Sequence, residues 1–468
     1  MRGFALQISE RRLLIAVGDV LAINLSTFWS LRLWAQVGHI PFDADFLRSQ
    51  TGWFVLLTAL WLLLANVNEF YDLRLAAHPR AAAMCLARIT AQLLVIYLIL
   101  FFVSGRDALP RLFILYHAVI SSLLIAGWRL WRPYLVGWRA FRRRALLVGA
   151  GWAAETIISV IESDAPNEYE IIGLVRAADS PELTAVSRYP VLGTGCDLPT
   201  LTEQYAITEL ILTGSAELPA DLFEGLLACY ELGVTMTPMP LLYEQITGRV
   251  PIEHVGRQHW TVVLPLDSHS LSRQLYLAIK RSSDVVLALA GLFVFALLLP
   301  LIALLMRLDS PGPIFYDQER VGRGGKPFRV IKLRTMIPDA ERASGPVWAK
   351  AGDPRITRIG AILRKTRLDE FPQLINVLRG EMSVVGPRPE RAFFVDQLTA
   401  HIPFYRTRLA IKPGLTGWAQ VRYRYGSSAD DALIKLQYDL YYIRHQSVAL
   451  DVLIILQTFG KMLSLQGT

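Results

Sequence analysis

The sequence predicts a four-helix membrane bundle, then a small doubly wound α/β domain, then a second α/β unit carried on a re-entrant membrane helix. Three observations lead there. Four apolar segments fill the first third of the 468-residue chain. A strand-like ALLVG run then enters a glycine-rich turn at Gly149 and Gly151. Later, the 22 charge-free residues Val285–Met306 hold a proline and are flanked by basic residues on both sides.

The bulk composition agrees. The chain is 53% hydrophobic with a mean hydropathy of +0.35, high for a soluble protein. A formal net charge of +8 suits nucleic acid or an anionic membrane surface. The basic residues gather at the ends of apolar segments and in one loop-rich stretch, which favours the membrane and argues against nucleic acid. Cys85, Cys196 and Cys229 are scattered without metal-ligand spacing, as in a reducing compartment. The first apolar run is too long for a cleavable signal peptide and lacks a small-residue cleavage site.

The apolar segments run over Leu13–Phe28, Trp53–Val67, Met84–Val103 and Leu112–Trp128, each near the length that crosses a bilayer. Asp19 and Arg88 fall inside two of them, close to one end. They are either interfacial charges or intramembrane functional groups. Arg2, Arg11 and Arg12 precede the first span, and Arg74 and Arg80 separate the second from the third. Arg129, Arg132, Arg139, Arg142, Arg143 and Arg144 follow the fourth. By the positive-inside rule both ends of this bundle, residues 1–142, face the cytoplasm. A bundle of this size is compatible with a homodimer.

Residues 143–265 read as the α/β domain. Strand candidates at 145–149, 171–175, 209–212 and 234–237 alternate with helical stretches, which argues for a doubly wound sheet. The turn Gly149-Ala150-Gly151-Trp152-Ala153-Ala154 resembles a dinucleotide fingerprint with alanine in place of its third glycine. It is either a nucleotide site at a helix N-terminus or a turn that serves close packing. Asp179 is not clearly placed to bind a ribose.

The third module covers 266–468. Lys280 and Arg281 flank the apolar run on one side and Arg307 on the other. Pro300 removes a helix hydrogen bond within it. A helix–break–helix hairpin over about 280–307 keeps both basic flanks on the cytoplasmic side, where a simple span does not. After it comes a Gly- and Pro-rich stretch with Arg320, Arg323, Lys326, Arg329, Lys332 and Arg334. Then LRKTRLDEFPQLINVLRGEMSVVGPRP, residues 363–389, sets the acidic pair Asp369-Glu370 between basic residues and a Gly-Pro-Arg-Pro turn. A carboxylate nucleophile, a metal-binding carboxylate and fixed guanidinium groups are what phosphoryl transfer from a diphosphate needs. Alone, an acidic pair before an apolar run is ordinary helix N-terminal chemistry.

With IKPGLTGWAQVRYRYG (Ile411–Gly426) and QYDLYYIRHQSVALD (Gln437–Asp451), these motifs make the chain resemble the bacterial sugar transferases, the monotopic polyprenyl-phosphate sugar-1-phosphate transferases. The resemblance covers about Lys280–Leu463. The arrangement before it resembles the large members of the family, with four spans and a Rossmann-like module. It implies transfer of sugar-1-phosphate from a UDP-sugar to undecaprenyl phosphate at the cytoplasmic face of the bacterial inner membrane, with release of UMP. That step starts exopolysaccharide or O-antigen repeat units. In the family's pattern Asp369 is the nucleophile, forming a covalent phosphosugar intermediate, and Glu370 holds Mg²⁺. Arg388 is a guanidinium for the phosphate. Lys332, Arg334 and Arg424 are further phosphate candidates. Arg364 either binds phosphate or lies on a solvated helix face. Asp439 is a weaker acidic candidate for the same site, and Gly414 and Gly417 shape a turn. One departure is Leu299-Pro300, where the family often has Ser-Pro at the helix break. Two rival readings are a membrane-bound nucleotide-sugar dehydratase and a non-catalytic polysaccharide-assembly scaffold. The first needs a second dinucleotide fingerprint and a Tyr-x-x-x-Lys pair, which the C-terminal part lacks. The second needs no acidic pair, and the pair is intact.

Overall fold

The computed structural model describes residues 8–68, 70–71, 79–103, 111–135, 142–149, 151–166, 168–176, 188–213, 219–252, 270–338, 353–423 and 428–463. Asp179, Arg424 and the expected boundary at 265 lie outside these residues. The chain forms two compact units, Met1–Thr247 and Gly248–Thr468.

The first unit opens with α1 (Ile8–Val37), the short α2 (Ala44–Ser49), α3 (Thr51–Val67), α4 (Pro79–Val103) and α5 (Arg111–Leu135). By length and composition α1, α4 and α5 could each cross a membrane; α3, at 17 residues, is shorter. Their inward faces bury Ile23, Leu31, Trp61, Ile89, Leu93, Phe113 and Ile125 in one core. Leu21, Val55, Val95 and Leu123 face outward and are exposed. Helices apolar on both faces are what a lipid environment demands. Asp19 is fully buried and pairs with Arg129 at 2.7 Å, so it joins α1 to α5. Arg129 also donates to the Phe70 carbonyl and lies 3.4 Å from the centre of the Phe70 ring. Arg88 is exposed.

The sheet of this unit has five parallel strands in the order β3-β2-β1-β4-β5. They are β1 (Arg143–Val148), β2 (Tyr169–Arg176), β3 (Val191–Thr194), β4 (Glu209–Leu212) and β5 (Thr235–Pro238), with α6 (Trp152–Asp164), α7 (Leu198–Gln204), α8 (Ala220–Glu231) and α9 (Met239–Thr247). The period-two pattern of β1 explains the two layers. Ala145 and Leu147 pack with Ile157, Ile161 and Leu242 of α6 and α9. Leu146 and Val148 pack with Leu198, Leu201, Leu222 and Leu226 of α7 and α8. Both faces are covered, as parallel sheets require. Gly149 and Gly151 sit at φ +107° and +104°, which only glycine adopts freely.

In the second unit the next helix is α10 (Leu271–Asp309), one continuous helix of 39 residues with Pro300 inside it, so the two separate helices expected on either side of a break over 280–307 are not seen. Ser270 caps it by accepting from the Arg273 N–H. One face, with Asp284, Ala288, Phe295, Ile302 and Met306, is buried against the rest of the unit. The other presents Val286, Phe293, Leu297, Leu301 and Leu304. Both ends are tied down. Near the start, Lys280 Nζ and the Tyr276 hydroxyl donate to Asp451 at 2.9 and 3.0 Å. Near the end, Asp309 accepts from the Ile359 N–H at 2.9 Å.

An antiparallel hairpin follows, β6 (Phe315–Val321) with β7 (Pro327–Leu333). Then come α11 (Arg358–Thr366), a 3₁₀ turn over Leu368–Gln373, α12 (Leu374–Arg379), β8 (Ser383–Val385), α13 (Ala392–His401), a second 3₁₀ stretch over Tyr405–Ala410, β9 (Gly414–Thr416), α14 (Trp418–Arg422), α15 (Ala429–Arg444) and α16 (Val448–Leu463). The short β8 and β9 pair in parallel. A Cβ on Gly414 would lie 2.1 Å from the Gly386 nitrogen, and one on Gly417 2.2 Å from the Gly386 oxygen, so both glycines serve close approach. The helix α16 packs Ile454 into the core and exposes Val448, Val452 and Phe459. Tyr442 is buried and donates to Asp451.

A buried asparagine clamps the hairpin to α12. Asn376 is 0% exposed; its amide donates to the Arg329 carbonyl and the Glu381 carboxylate, and its oxygen accepts from the Ile331 N–H. Replacing Asn376 with Ala leaves all three partners unsatisfied and is expected to lower unfolding stability by about 3 kcal/mol. Thermal unfolding in detergent checks this; an unchanged midpoint would contradict the clamp.

Candidate active site

Local backbone chemistry presents the acidic pair. Thr357 caps α11 by accepting from the Gly360 N–H at 3.0 Å. The helix ends where Arg367 turns left-handed, at φ +57°. The chain then tightens into the 3₁₀ turn, with Asp369 and Glu370 in its first turn and Pro372 inside it. Leu368 and Phe371, on either side of the pair, pack with Phe295, Leu333 and Leu363. The Phe371 and Phe295 rings lie 6.1 Å apart, so the pair is held beside α10. A left-handed conformation costs a side-chain-bearing residue energy, and a β-branched one most. Arg367→Gly and Arg367→Val both remove the guanidinium. The glycine variant is expected to be more stable by about 1 kcal/mol; equal unfolding midpoints would refute backbone strain there.

Asp369 and Glu370 are both buried. Glu370 Oε1 takes Arg388 Nη2 at 2.5 Å and Lys332 Nζ at 3.4 Å. Burial raises its pKa, but Arg388 and Lys332 outweigh burial and hold the carboxyl well below the usual range. Asp369 goes the other way. Burial, then the charge of Glu370, push it up, and Lys332, Arg364 and Arg388 offset this only in part. Two neighbouring carboxyls driven apart in this way take different roles. Burial also lowers the Lys332 amine, against the pull of Glu370 and with the push of Arg388.

The cations outnumber the carboxylates. Arg364 acts on Asp369 and Arg367 acts on Glu370, through space in both cases. With Lys332 and Arg388 this leaves a net positive site, suited to a diphosphate. The structure therefore brings together Asp369, Glu370, Lys332, Arg364 and Arg388. Arg334 goes elsewhere. Its guanidinium donates to the carbonyls of Pro311 and Ser310 at 2.8 and 2.9 Å, so it braces the exit from α10. Adjacent strand residues point to opposite faces, so Lys332 and Arg334 share a face, but β7 ends at Leu333 and the alternation stops. Asp439 pairs with Arg408 at 2.8 Å. Gly149 and Gly151 belong to the first unit. Sequence reading missed Arg367, Asn376 and Arg408.

Among the described residues no group of three or more His, Cys, Asp or Glu side chains gathers to hold a metal. Magnesium needs no such cage, since it takes one or two carboxylates, water and substrate phosphate oxygens. Among the described residues the ion pairs of Glu370, to Lys332 and Arg388, fall on Oε1. Its second oxygen is the donor that fits such an ion.

Comparison with known proteins decides the family. Residues 275–465 match the bacterial sugar transferase model, and residues 45–226 match a CoA-binding domain model. An exopolysaccharide production protein of Rhizobium leguminosarum is 43% identical over 196 residues, which is 40% of this chain and 95% of that protein. The chain belongs to the bacterial sugar transferase family. Another similar protein is the UDP-glucose:undecaprenyl-phosphate glucose-1-phosphate transferase of Caulobacter vibrioides, 46% identical over 40% of this chain and 70% of its own length. A third is the UDP-N-acetylgalactosamine-undecaprenyl-phosphate N-acetylgalactosaminephosphotransferase of Aeromonas hydrophila, 43% identical over 47% of this chain. The match spans only 50% of the Aeromonas protein. The family model takes in the acidic pair's surroundings, from residue 275 within α10 to the end of α16.

Proposed function

We propose that this sugar transferase moves a sugar-1-phosphate from a UDP-sugar to undecaprenyl phosphate through a covalent aspartyl-phosphosugar intermediate. The observation that carries this reading is the oppositely perturbed Asp369-Glu370 pair inside a ring of cations. Arg388, Lys332, Arg364 and Arg367 would receive the diphosphate. The Asp369 carboxylate, poorly solvated and kept apart from those ion pairs, attacks the phosphorus that bears the sugar. An O–P bond forms as the bond to UMP breaks, and UMP leaves with the electron pair. An oxygen of the lipid phosphate then attacks the same phosphorus and returns Asp369 as a carboxylate. Glu370 would hold Mg²⁺, which when bound neutralises charge on the diphosphate.

The same reading places the site at the cytoplasmic face of the inner membrane. Both ends of α10 are tied to one unit, and its outer face is apolar over residues 286–305. A helix that enters and leaves from one side meets both conditions, whereas a spanning helix would separate the two ends. Pro300 is where such a helix would break. The product would begin an exopolysaccharide or O-antigen repeat unit.

The test is UMP release by the full chain in detergent with Mg²⁺, undecaprenyl phosphate and either UDP-glucose or UDP-N-acetylgalactosamine. Steady release with one donor is expected, and parallel double-reciprocal lines when donor and acceptor are varied. Intersecting lines would overturn the covalent route. No UMP with any donor from folded protein would overturn the activity.

A further inference from the structure

The Pro387-Arg388-Pro389 turn cannot tie itself together, because neither proline has an N–H to donate. Its carbonyls are held from outside instead. The Pro387 oxygen accepts from the Gly414 N–H at 2.8 Å. The Arg388 oxygen accepts from Arg408 Nη2 at 3.0 Å. The Pro389 oxygen accepts from Arg320 Nη1 at 3.2 Å. Two stretches distant from the turn in sequence, one at Arg320 and one over 408–414, thus pin three consecutive peptide groups.

The middle pin is the unusual one. Arg408 is 7% exposed, and its other nitrogen donates to the Tyr405 hydroxyl at 2.7 Å. Its charge is met by Asp439 of α15, 2% exposed, at 2.8 Å. A buried ion pair is a poor stabiliser when compared with apolar side chains of similar volume. Stability alone therefore does not explain why a charge pair stands behind this turn. The cavity beside it, lined by Pro387, Arg388, Pro389 and Arg408 among others, measures about 10 Å³, room for no more than one water.

We infer that Arg408 and Asp439 are positioning residues for the transfer reaction: the pair fixes the Arg388 carbonyl and so aims the Arg388 guanidinium at Glu370 and the substrate phosphate. The catalytic part of this rests on the proposed function; the pin itself does not. Lysine at 408 cannot serve Tyr405, Asp439 and the Arg388 carbonyl together, because it lacks the planar fork.

Two measurements on the full chain test it. The first is hydrogen exchange over a peptide covering residues 383–391, in wild type, Arg408→Lys and the paired Arg408→Met/Asp439→Leu variant. The paired variant removes both charges, so it is expected to fold. Faster exchange in both variants is expected; unchanged exchange in both would overturn the pin whatever reaction the protein performs. The second is a double-mutant cycle in kcat/KM between Arg408→Met/Asp439→Leu and Arg388→Ala. Displacing a phosphate-binding group by an ångström costs about 10²-fold. The paired variant should lose that much. Combined with Arg388→Ala, it should fall no more than about threefold below Arg388→Ala alone, because groups that act as a unit are not additive. Full activity in the paired variant, or penalties that multiply, would overturn the positioning role. An inactive wild type would instead sink the proposed function, and the exchange result would still decide the pin.

Discussion

Asp369→Asn is expected to lower the transfer rate by at least about 10⁴-fold, the scale on which a covalent nucleophile is lost. It is also expected not to lower the unfolding temperature. The two effects have one cause. Burial and the neighbouring Glu370 disfavour the charged form of Asp369 in the folded protein. An amide of the same shape removes that repulsion while it removes the nucleophile, the usual exchange of stability against activity at such sites. A variant that is inactive because it is unfolded would not meet this expectation, nor would one that keeps a few per cent of the rate.

Glu370→Gln, one residue along and equally isosteric, should behave differently. Glu370 is held charged by Arg388 and Lys332. Its loss leaves two cations without their shared partner, and hydrogen bonds to charged groups are worth about 1.5–3 kcal/mol each. The variant should therefore unfold at a lower temperature than wild type. Its kcat should fall about 10²–10³-fold, and the response of the rate to added Mg²⁺ should vanish. Adjacent amide substitutions with opposite signs in stability follow only if the two carboxyls have opposite environments. Equal stabilities, or a Glu370→Gln enzyme that Mg²⁺ still stimulates, would refute the division of roles. The rate at several Mg²⁺ concentrations and a thermal melt of both variants read these outcomes.

How far the sequence reveals this arrangement depends on how local each signal is. The apolar runs of α1, α4 and α5 are local, and each falls within the helix it forecasts; the charge-free run over 285–306 is equally local and helical, but it lies in one continuous helix where the sequence predicts a broken one. So is the strand alternation of β1, β2, β4 and β5. The strand β3 (Val191–Thr194) is no shorter than β4 or β5, but it escaped notice because none of its positions is buried, so it carries no sustained apolar signal. The ring around Asp369 was legible because Arg364 and Arg388 stand within one motif-rich stretch of the chain, with Lys332 in the loop-rich stretch before it. Arg334 was misjudged by the same reasoning. It stands two residues from Lys332, but the carbonyls at Ser310 and Pro311 claim its guanidinium, and nothing in its own stretch announces them. Arg408 and Asp439 lie on different elements and meet only when α15 packs behind the turn. Asn376 reads as an ordinary helix residue until β7 presents the backbone that it clamps. Arg367 could have been suspected, since a helix that must stop two residues before Asp369 needs a left-handed residue or a glycine, and no glycine is there.

The most direct test of the central claim is the intact mass of the detergent-purified chain after incubation with Mg²⁺ and a UDP-sugar, with no lipid acceptor. The account predicts an added mass equal to one phosphosugar on wild type and none on Asp369→Asn. An adduct that persists in Asp369→Asn, or UMP release by a wild type that never carries one, would contradict it.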